Sequence, residues 1–173
     1  QHRQMLDAVL QVFEIVPDYD LDIMRPHQTL AQITADVVQG VQGVLQQAQP
    51  DMVLVHGDTT TTFAASLAAY YQKIPVAHIE AGLRTGDIYA PYPEEINRKL
   101  TSAIARWHFA PTAMARDNLL REGIAAERIV LTGNTVIDAL LSVRAKLEQD
   151  STLQQYLQQQ FDFLDPATKC ILV

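Results

Sequence analysis

The stretch from Met52 to Glu80, MVLVHGDTTTTFAASLAAYYQKIPVAHIE, decides the fold class of this chain. It contains two short apolar runs that flank a longer segment with helical spacing, at residues 59–72. The same alternation continues along the chain, and the predicted strands are 52–55, 74–79, 106–110 and 128–132. Strands that are apolar on both faces and alternate with helices form a parallel sheet covered on both sides. We therefore predict an α/β fold, a Rossmann-like parallel sheet flanked by helices and joined by right-handed crossovers.

The predicted helices carry apolar residues at three- and four-residue steps, with polar residues between them. They span 28–48, 59–72, 94–105, 112–122 and 135–147. A polar helix is predicted from Asp150 to Phe161, where five glutamines lie between Gln154 and Gln160. The segment FDFLDPATK indicates a loop, and the final KCILV indicates a strand that stops before any partner follows it. We therefore expect further structure on both sides of these residues.

Composition limits the classes of partner. The chain has 173 residues, of which 48% are hydrophobic, so it has enough apolar side chains for a real core. Its formal net charge is -7 and its 13 Lys and Arg are scattered, which argues against nucleic acid or a membrane surface as a partner. The single cysteine, Cys170, excludes an internal disulfide. We expect a cytoplasmic, soluble protein.

Three acids follow predicted strands or begin a predicted helix. Asp58 comes just after the first strand, Glu80 ends the second, and Glu94 opens the helix that follows the loop AGLRTGDIYAPYPEE. Ligands of an open parallel sheet bind outside the carboxyl ends of its strands. Carboxylates crowded at such an edge repel one another, which separates their pKa values and can provide both an acid and a base. We predict that all three acids line one pocket.

Asp58 also has a purely structural explanation. An aspartate before a helix can be its N-cap and accept the amide hydrogen bonds of Thr60 or Thr61. The run Thr59 to Thr62 favours a site, because its hydroxyls and the free helix amides would form a stiff polar rim for a phosphate or a sugar. The run lacks the glycine and lysine of a P-loop and the glycine pattern of a dinucleotide fingerprint, so ATP and NAD are disfavoured.

Glu80 and Glu94 have structural alternatives as well. Glu80 could be a solvated strand end that pairs with Arg84. Glu94 could be a favourable acid of the first helical turn, with Pro93 at the first helical position and Arg98 as its i,i+4 ion-pair partner. From the residues alone, both interpretations stay open for each acid.

The histidines indicate no metal site. His56, His78 and His108 lie in or beside predicted strands, where histidines are more often part of the core or edge than ligands. The chain has no histidine or cysteine spacing of the zinc-binding kind. We predict no metal and no cofactor.

Beyond these features, the segments HGDTTTT, HIEAGLRTGD, PEE-N-R and GNTVIDAL closely resemble the non-hydrolysing UDP-N-acetylglucosamine 2-epimerases. The resemblance runs from QHRQMLD to about Leu147. It implies one half of a glycosyltransferase-B-type two-domain architecture, usually in a homodimer. It also implies interconversion of UDP-N-acetylglucosamine and UDP-N-acetylmannosamine by anti elimination and re-addition of UDP, without a redox cofactor.

The resemblance also implies roles for particular residues. The three key carboxylates of the family correspond to Asp58, Glu80 and Glu94, and its nearby substrate-binding arginine corresponds to Arg98. Some members bind a second, activating UDP-N-acetylglucosamine through two glutamines that correspond to Gln1 and Gln4. Those members also use an arginine in the following loop to bind the second ligand, and its position corresponds to His27 here.

Other family features are missing, which implies the domain organisation. The opening strand with its GTRPE-type turn and a later T-x-H-R-x-E motif are absent. We assign residues 1–148 to most of the N-terminal Rossmann-like domain without its first strand, 149–168 to a polar helix and linker, and 169–173 to the first strand of a truncated second domain. We expect this chain alone to be inactive, because most uridine-diphosphate contacts in the family belong to the second domain.

Two other functions remain open. A glycosyltransferase of the same architecture would bind an acceptor sugar on this side of the cleft. A non-enzymatic sugar-nucleotide-binding or assembly module would use its acids only as helix caps and ion pairs.

Overall fold

The computed structural model describes residues 3–165 and 168–169, apart from the side chain of Gln4. The pattern of contacts divides the chain into two compact units, residues 1–134 and 135–173. The domain boundaries at 148 and 169 stay predictions, and the predicted final strand at 169–173 falls almost wholly outside the described residues.

The first unit is built around a four-stranded parallel sheet. Its strands are β1 (Val53–His56), β2 (Val76–Ile79), β3 (Trp107–Ala110) and β4 (Ile129–Leu131). They are hydrogen-bonded in the order β1-β2-β3-β4. Val55 is paired with His78, His78 with His108, and His108 with Ile129, so the four strands end near one edge. The predicted parallel sheet is confirmed.

Two helices, α1 (Arg3–Val12) and α2 (Leu30–Ala48), come before the first strand. The strands are connected by α3 (Thr60–Tyr71), α4 (Glu94–Ile104) and α5 (Ala113–Arg121), and a 3₁₀ turn at Ala126–Arg128 precedes β4. The four helices predicted for this unit are confirmed, with ends that differ by at most two residues from the sequence pattern. Helix α1 was not predicted.

The main core lies between β1, β2 and the helices α2, α3 and α4. It contains Leu45, Val55, Val76 and the alanines Ala68 and Ala69. Small residues on α3 let it pack closely on the strands and on α2, which is why this helix can be rich in alanine and still be well buried. The opposite side of β1 is open in the described residues, since Leu54 is 60% exposed.

A second apolar cluster supports the loop that follows β2. Ala81 packs there with Ala110, Ala115 and Leu119. Gly82 has a φ of +89°, and a Cβ on it would lie 2.2 Å from the carbonyl oxygen of Ala115. Only glycine fits this close approach, which fixes the start of the loop against α5.

The second unit consists of α6 (Thr135–Gln149) and α7 (Ser151–Gln160). Asp150 caps α7, because its carboxylate accepts the amide hydrogen bonds of Thr152 and Leu153 at 2.9 Å. Both helices were predicted and are confirmed, including the polar character of α7. Among the residues described in the two units, no helix has the length and apolar character needed to cross a membrane.

Candidate functional site

Asp58 lies in the turn between β1 and α3, and its side chain does not cap α3. Gly57 has a φ of +74°, and the residue that caps α3 is Thr59, whose hydroxyl accepts the amide hydrogen bond of Thr62 at 3.4 Å. The explanation of Asp58 as an N-cap is therefore wrong. Thr59 performs that function because its backbone is extended just where the helix begins, and Asp58 is one residue too early.

The threonine run has two faces. Thr60 and Thr62 are buried, and the hydroxyl of Thr62 donates to the carbonyl of His56 at 2.6 Å. Thr59 and Thr61 are exposed. The predicted hydroxyl rim is thus reduced to Thr59 and Thr61, while Thr62 fastens α3 to the end of β1.

Glu80 lies beside this turn at the end of β2. Its φ of +66° is in the left-handed region, which costs a residue other than glycine about 1–2 kcal/mol. A Cβ built on Gly57 would lie 3.7 Å from Oε2 of Glu80, and Nδ1 of His56 is 3.9 Å from the same oxygen. The carboxylate of Glu80 therefore rests against the turn that leads into Asp58.

Arg84 pairs with Glu122 and not with Glu80, so this part of the structural alternative for Glu80 is wrong. Its guanidinium is bound at 2.7 and 2.8 Å by the carboxylate of Glu122, at the end of α5, and also donates to Ser102. The side chain of Arg84 is only 8% exposed. Its hydrogen bonds to Glu122 hold the pKa of that carboxyl below its ordinary value. This pair fastens the loop after β2 to the rest of the fold.

Glu94 is the first residue of α4 and is half-buried. Pro93 occupies the N-cap position, one residue before the predicted place. The ion pair with Arg98, which was part of the structural alternative for Glu94, does not form, because Arg98 binds Asp58 and Glu95. Among the residues described, no hydrogen bond or ion pair is formed by the Glu94 side chain, and none joins it to Asp58 or Glu80.

Arg98 instead links two other carboxylates. One guanidinium nitrogen, Nη2, lies 2.6 Å from Oδ2 of Asp58, and the other, Nη1, lies 3.2 Å from Oε2 of Glu95. Its side chain is 13% exposed, so the interaction is largely shielded from water. Asn97 adds a hydrogen bond to the backbone carbonyl of Asp58 at 3.0 Å. Helix α4 therefore fixes the position of Asp58 by two contacts.

Glu95 is a member of this cluster that the sequence analysis missed. The sequence did contain a hint, because two glutamates stand together at the start of α4. Glu95 is three residues before Arg98, within reach of an ion pair, and lies on the buried side of the helix. That side is polar, with Asn97, Thr101 and Ser102 also buried. A search for an apolar stripe therefore could not orient this helix.

His78 and His108 are core residues, as predicted. Both are fully buried and adjacent in the sheet. Nε2 of His78 donates to the carbonyl of Gly57 at 2.7 Å, which supports the turn before Asp58. Burial lowers the pKa of His78 and of His108 to about 4. Between residues 3 and 169, leaving aside 166 and 167, no cluster of histidine, cysteine, aspartate and glutamate side chains could hold a metal.

The predicted second ligand site falls partly outside the structure. Gln1 and the side chain of Gln4 lie outside the described residues. Arg25, near His27 in the following loop, is bound to the carboxylate of Asp36 on α2.

The arrangement at the sheet edge suits proton transfer. Two carboxylates from adjacent strand ends, Asp58 and Glu80, lie beside one turn, and Arg98 supplies a fixed positive charge. Glu94 begins the helix that carries Arg98. Carboxylates beside an arginine can take a proton from a sugar carbon and assist a phosphate leaving group.

Comparisons with known proteins agree on one family. The sequence profile described as UDP-N-acetylglucosamine 2-epimerase matches residues 1–172. A UDP-N-acetylglucosamine 2-epimerase of Salmonella typhimurium is 60% identical over the whole chain, which spans 46% of that relative. One of Escherichia coli strain K12 is 58% identical, again over the whole chain and 46% of the relative.

A solved structure gives the same result. The crystal structure of UDP-GlcNAc 2-epimerase from Neisseria meningitidis bound to UDP-GlcNAc matches with a TM-score of 0.88 and 56% identity, covering 98% of this chain and 46% of that one. The predicted fold class, one half of a glycosyltransferase-B-type architecture, is confirmed. The chain spans about half the length of the relatives it matches.

Proposed function

This chain belongs to the UDP-N-acetylglucosamine 2-epimerase family, and from that premise we propose that the complete protein interconverts UDP-N-acetylglucosamine and UDP-N-acetylmannosamine. The observation that carries the proposal is the Arg98–Asp58 ion pair of 2.6 Å beside the Glu80 carboxylate, at the edge of the sheet where ligands bind. The structure from Neisseria meningitidis, which has UDP-GlcNAc bound, supports the choice of substrate.

The proposed reaction needs acid and base chemistry alone. A base removes the proton from C2 of the sugar, and the bond between C1 and the UDP oxygen breaks, leaving UDP and 2-acetamidoglucal. UDP then adds back to C1, and an acid returns a proton to the opposite face of C2. Bonds and electrons balance without an oxidant, because the double bond formed between C1 and C2 in the first half is consumed in the second.

We assign the proton transfers to Asp58, Glu80 and Glu94 as a set. The support for the first two is their placement at adjacent strand ends beside one turn. The support for Glu94 is its position at the start of α4, one helical turn before Arg98. Arg98 contacts substrate or fixes Asp58, and the 2.6 Å ion pair between Arg98 and Asp58 supports the second of these roles.

Further proposals concern the setting of the enzyme. We propose a homodimer that works in the cytoplasm in polysaccharide biosynthesis and does not bind nucleic acid or membranes, which the net charge of -7 supports. We also propose that Gln1 and Gln4 contribute to a second UDP-N-acetylglucosamine site.

The test is an assay with a single substrate. The complete protein is incubated with UDP-N-acetylglucosamine alone, without acceptor or nicotinamide cofactor, and the anomeric proton signals are followed by NMR. We expect UDP-N-acetylmannosamine to appear and both sugars to reach a constant ratio. Release of UDP only after an acceptor sugar is added would favour a glycosyltransferase and contradict the proposal.

A further inference from the structure

Glu95 is a fully buried carboxylate whose role the family comparison does not supply. Its exposed fraction is 0%, and carboxylates are almost never buried unless they are paired. Both oxygens are occupied. Oε2 accepts from the backbone amide of Thr85 and from Nη1 of Arg98, each at 3.2 Å, and Oε1 accepts from the amide of Gly86, also at 3.2 Å.

These contacts join three parts of the fold at the sheet edge. Glu95 belongs to α4, Thr85 and Gly86 belong to the loop after β2, and Arg98 reaches from α4 to the turn after β1. Burial opposes the ionisation of Glu95, but the two backbone amides and Arg98 together hold the pKa of Glu95 below its ordinary value. The ionised Glu95 side chain therefore bridges the loop after β2 and the Arg98 guanidinium.

We propose that Glu95 is a positioning residue for epimerisation, which holds the Arg98 guanidinium in the orientation that fixes Asp58. Arginine has many rotamers, and a buried carboxylate that binds one side of its fork removes most of them. The other side of the fork is then directed at Oδ2 of Asp58. This inference rests on the proposed function.

The competing explanation is that Glu95 only anchors the loop. The chain offers a matched control, because the loop is anchored a second time by Arg84 and Glu122, and the hydrogen bonds of Arg84 go to Glu122, Ser102 and the Leu83 carbonyl rather than to Asp58. Substitution of Glu122 therefore weakens the loop without touching the arginine of the site.

The first experiment compares Glu95→Gln and Glu122→Gln in the complete protein. A glutamine side chain has only one acceptor oxygen. Its NH₂ group would face a backbone amide or Arg98, which are also donors, so at least one hydrogen bond of Glu95 would be lost. A shift of about 1 Å in a reacting group can cost about 100-fold in rate. We expect kcat of Glu95→Gln to fall by about that factor with little change in KM, while Glu122→Gln keeps the kcat of the wild type. Equal kcat values for the two variants would overturn the proposal.

A double-mutant cycle separates action through Arg98 from loop anchoring. If Glu95 acts through Arg98, the Glu95→Gln/Arg98→Ala protein has the same kcat as Arg98→Ala alone. Multiplication of the two single losses would overturn the proposal. If Glu95→Gln does not fold, Glu95→Asp replaces it in both experiments, because it keeps the charge but is one methylene too short to hold the amides and Arg98 together.

A crystal structure of the Glu95 variant tests the positioning independently of the reaction. We expect Nη2 of Arg98 to leave Oδ2 of Asp58, and an unchanged ion pair would overturn the proposal. A wild-type protein that does not epimerise, despite an intact Arg98–Asp58 contact, would instead overturn the proposed function and with it the catalytic meaning of this contact.

Discussion

At the residue scale, the left-handed backbone of Glu80 supports the role proposed for its carboxylate. Its positive φ costs free energy that glycine would not incur, and its carboxylate is half-buried beside Gly57 and His56. Strain of this kind persists where a side chain is needed and the surrounding structure holds it in place. Lys73 has a similar φ of +59°, but it lies in the turn between α3 and β2, at the opposite end of that strand.

These two residues make a matched prediction. We expect Glu80→Gly to raise the free energy of unfolding by about 1 kcal/mol, because the left-handed strain is relieved, and to abolish epimerisation. Lys73→Gly is expected to stabilise by a similar amount, since glycine is favoured just after a helix end, and to leave kcat unchanged. Urea unfolding and the NMR assay of the complete protein measure both effects. An active Glu80→Gly protein would contradict the role given to this carboxylate.

At the scale of elements, the close approach between the loop after β2 and helix α5 is the most sensitive packing point. We expect Gly82→Ala to destabilise by more than about 3 kcal/mol, because the new methyl group would meet the Ala115 carbonyl at 2.2 Å and the φ of +89° disfavours any side chain. Gly43→Ala in α2 is the control. Its added methyl meets nothing within 4 Å, so we expect it to stabilise by about 0.5–1 kcal/mol. Thermal unfolding midpoints that move in the same direction would contradict this account.

The buried histidines of β2 and β3 predict how stability depends on pH. An unfolded histidine has a pKa near 6.5, whereas burial lowers the pKa of His78 and of His108 to about 4. Between these values the unfolded chain binds more protons, so stability is fully present above pH 6.5 and falls as the pH drops toward 4. The loss is on the order of 3 kcal/mol for each histidine.

Urea midpoints of the complete protein measured from pH 7.5 to 4.5 check this prediction. His108→Leu removes one of the two buried titrating groups, so the decline below pH 6.5 should become shallower. His27→Asn changes an exposed histidine and should leave the decline as it is. The same slope in all three proteins would contradict the assignment of the decline to the buried pair.

The elements also show which parts of the site a sequence can predict. The strands and helices of the first unit were predictable because apolar residues recur with different periods in strands and in helices. The positions of Asp58 and Glu80 then followed from where the strands end. The cap of α3 was not, since Asp58 and Thr59 are both good cap residues and only the backbone decides between them. Glu95 was missed because the buried face of α4 is polar.

At the scale of the whole molecule, separate chain segments bring Asp58 and Glu80 to one edge of a parallel sheet. Arg98 on α4 and Asp58 after β1 are 40 positions apart in the chain, yet their side chains are 2.6 Å apart. The chain spans about half the length of its relatives, so the proposed activity belongs to the complete protein. Periodicity alone could not predict the division at residue 134, because α6 has the same kind of amphipathic pattern as the helices of the first unit.

The most direct test of this account is the fate of the hydrogen at C2 of the sugar. The complete protein and its Asp58→Asn variant are incubated with UDP-N-acetylglucosamine in deuterated water, and the product and recovered substrate are examined by NMR and mass spectrometry. We predict deuterium at C2 with the wild-type protein and a rate lower by orders of magnitude with the variant, because a carboxylate of the set is lost. Epimerised product that keeps its original C2 hydrogen, or a variant as fast as the wild type, would contradict the account.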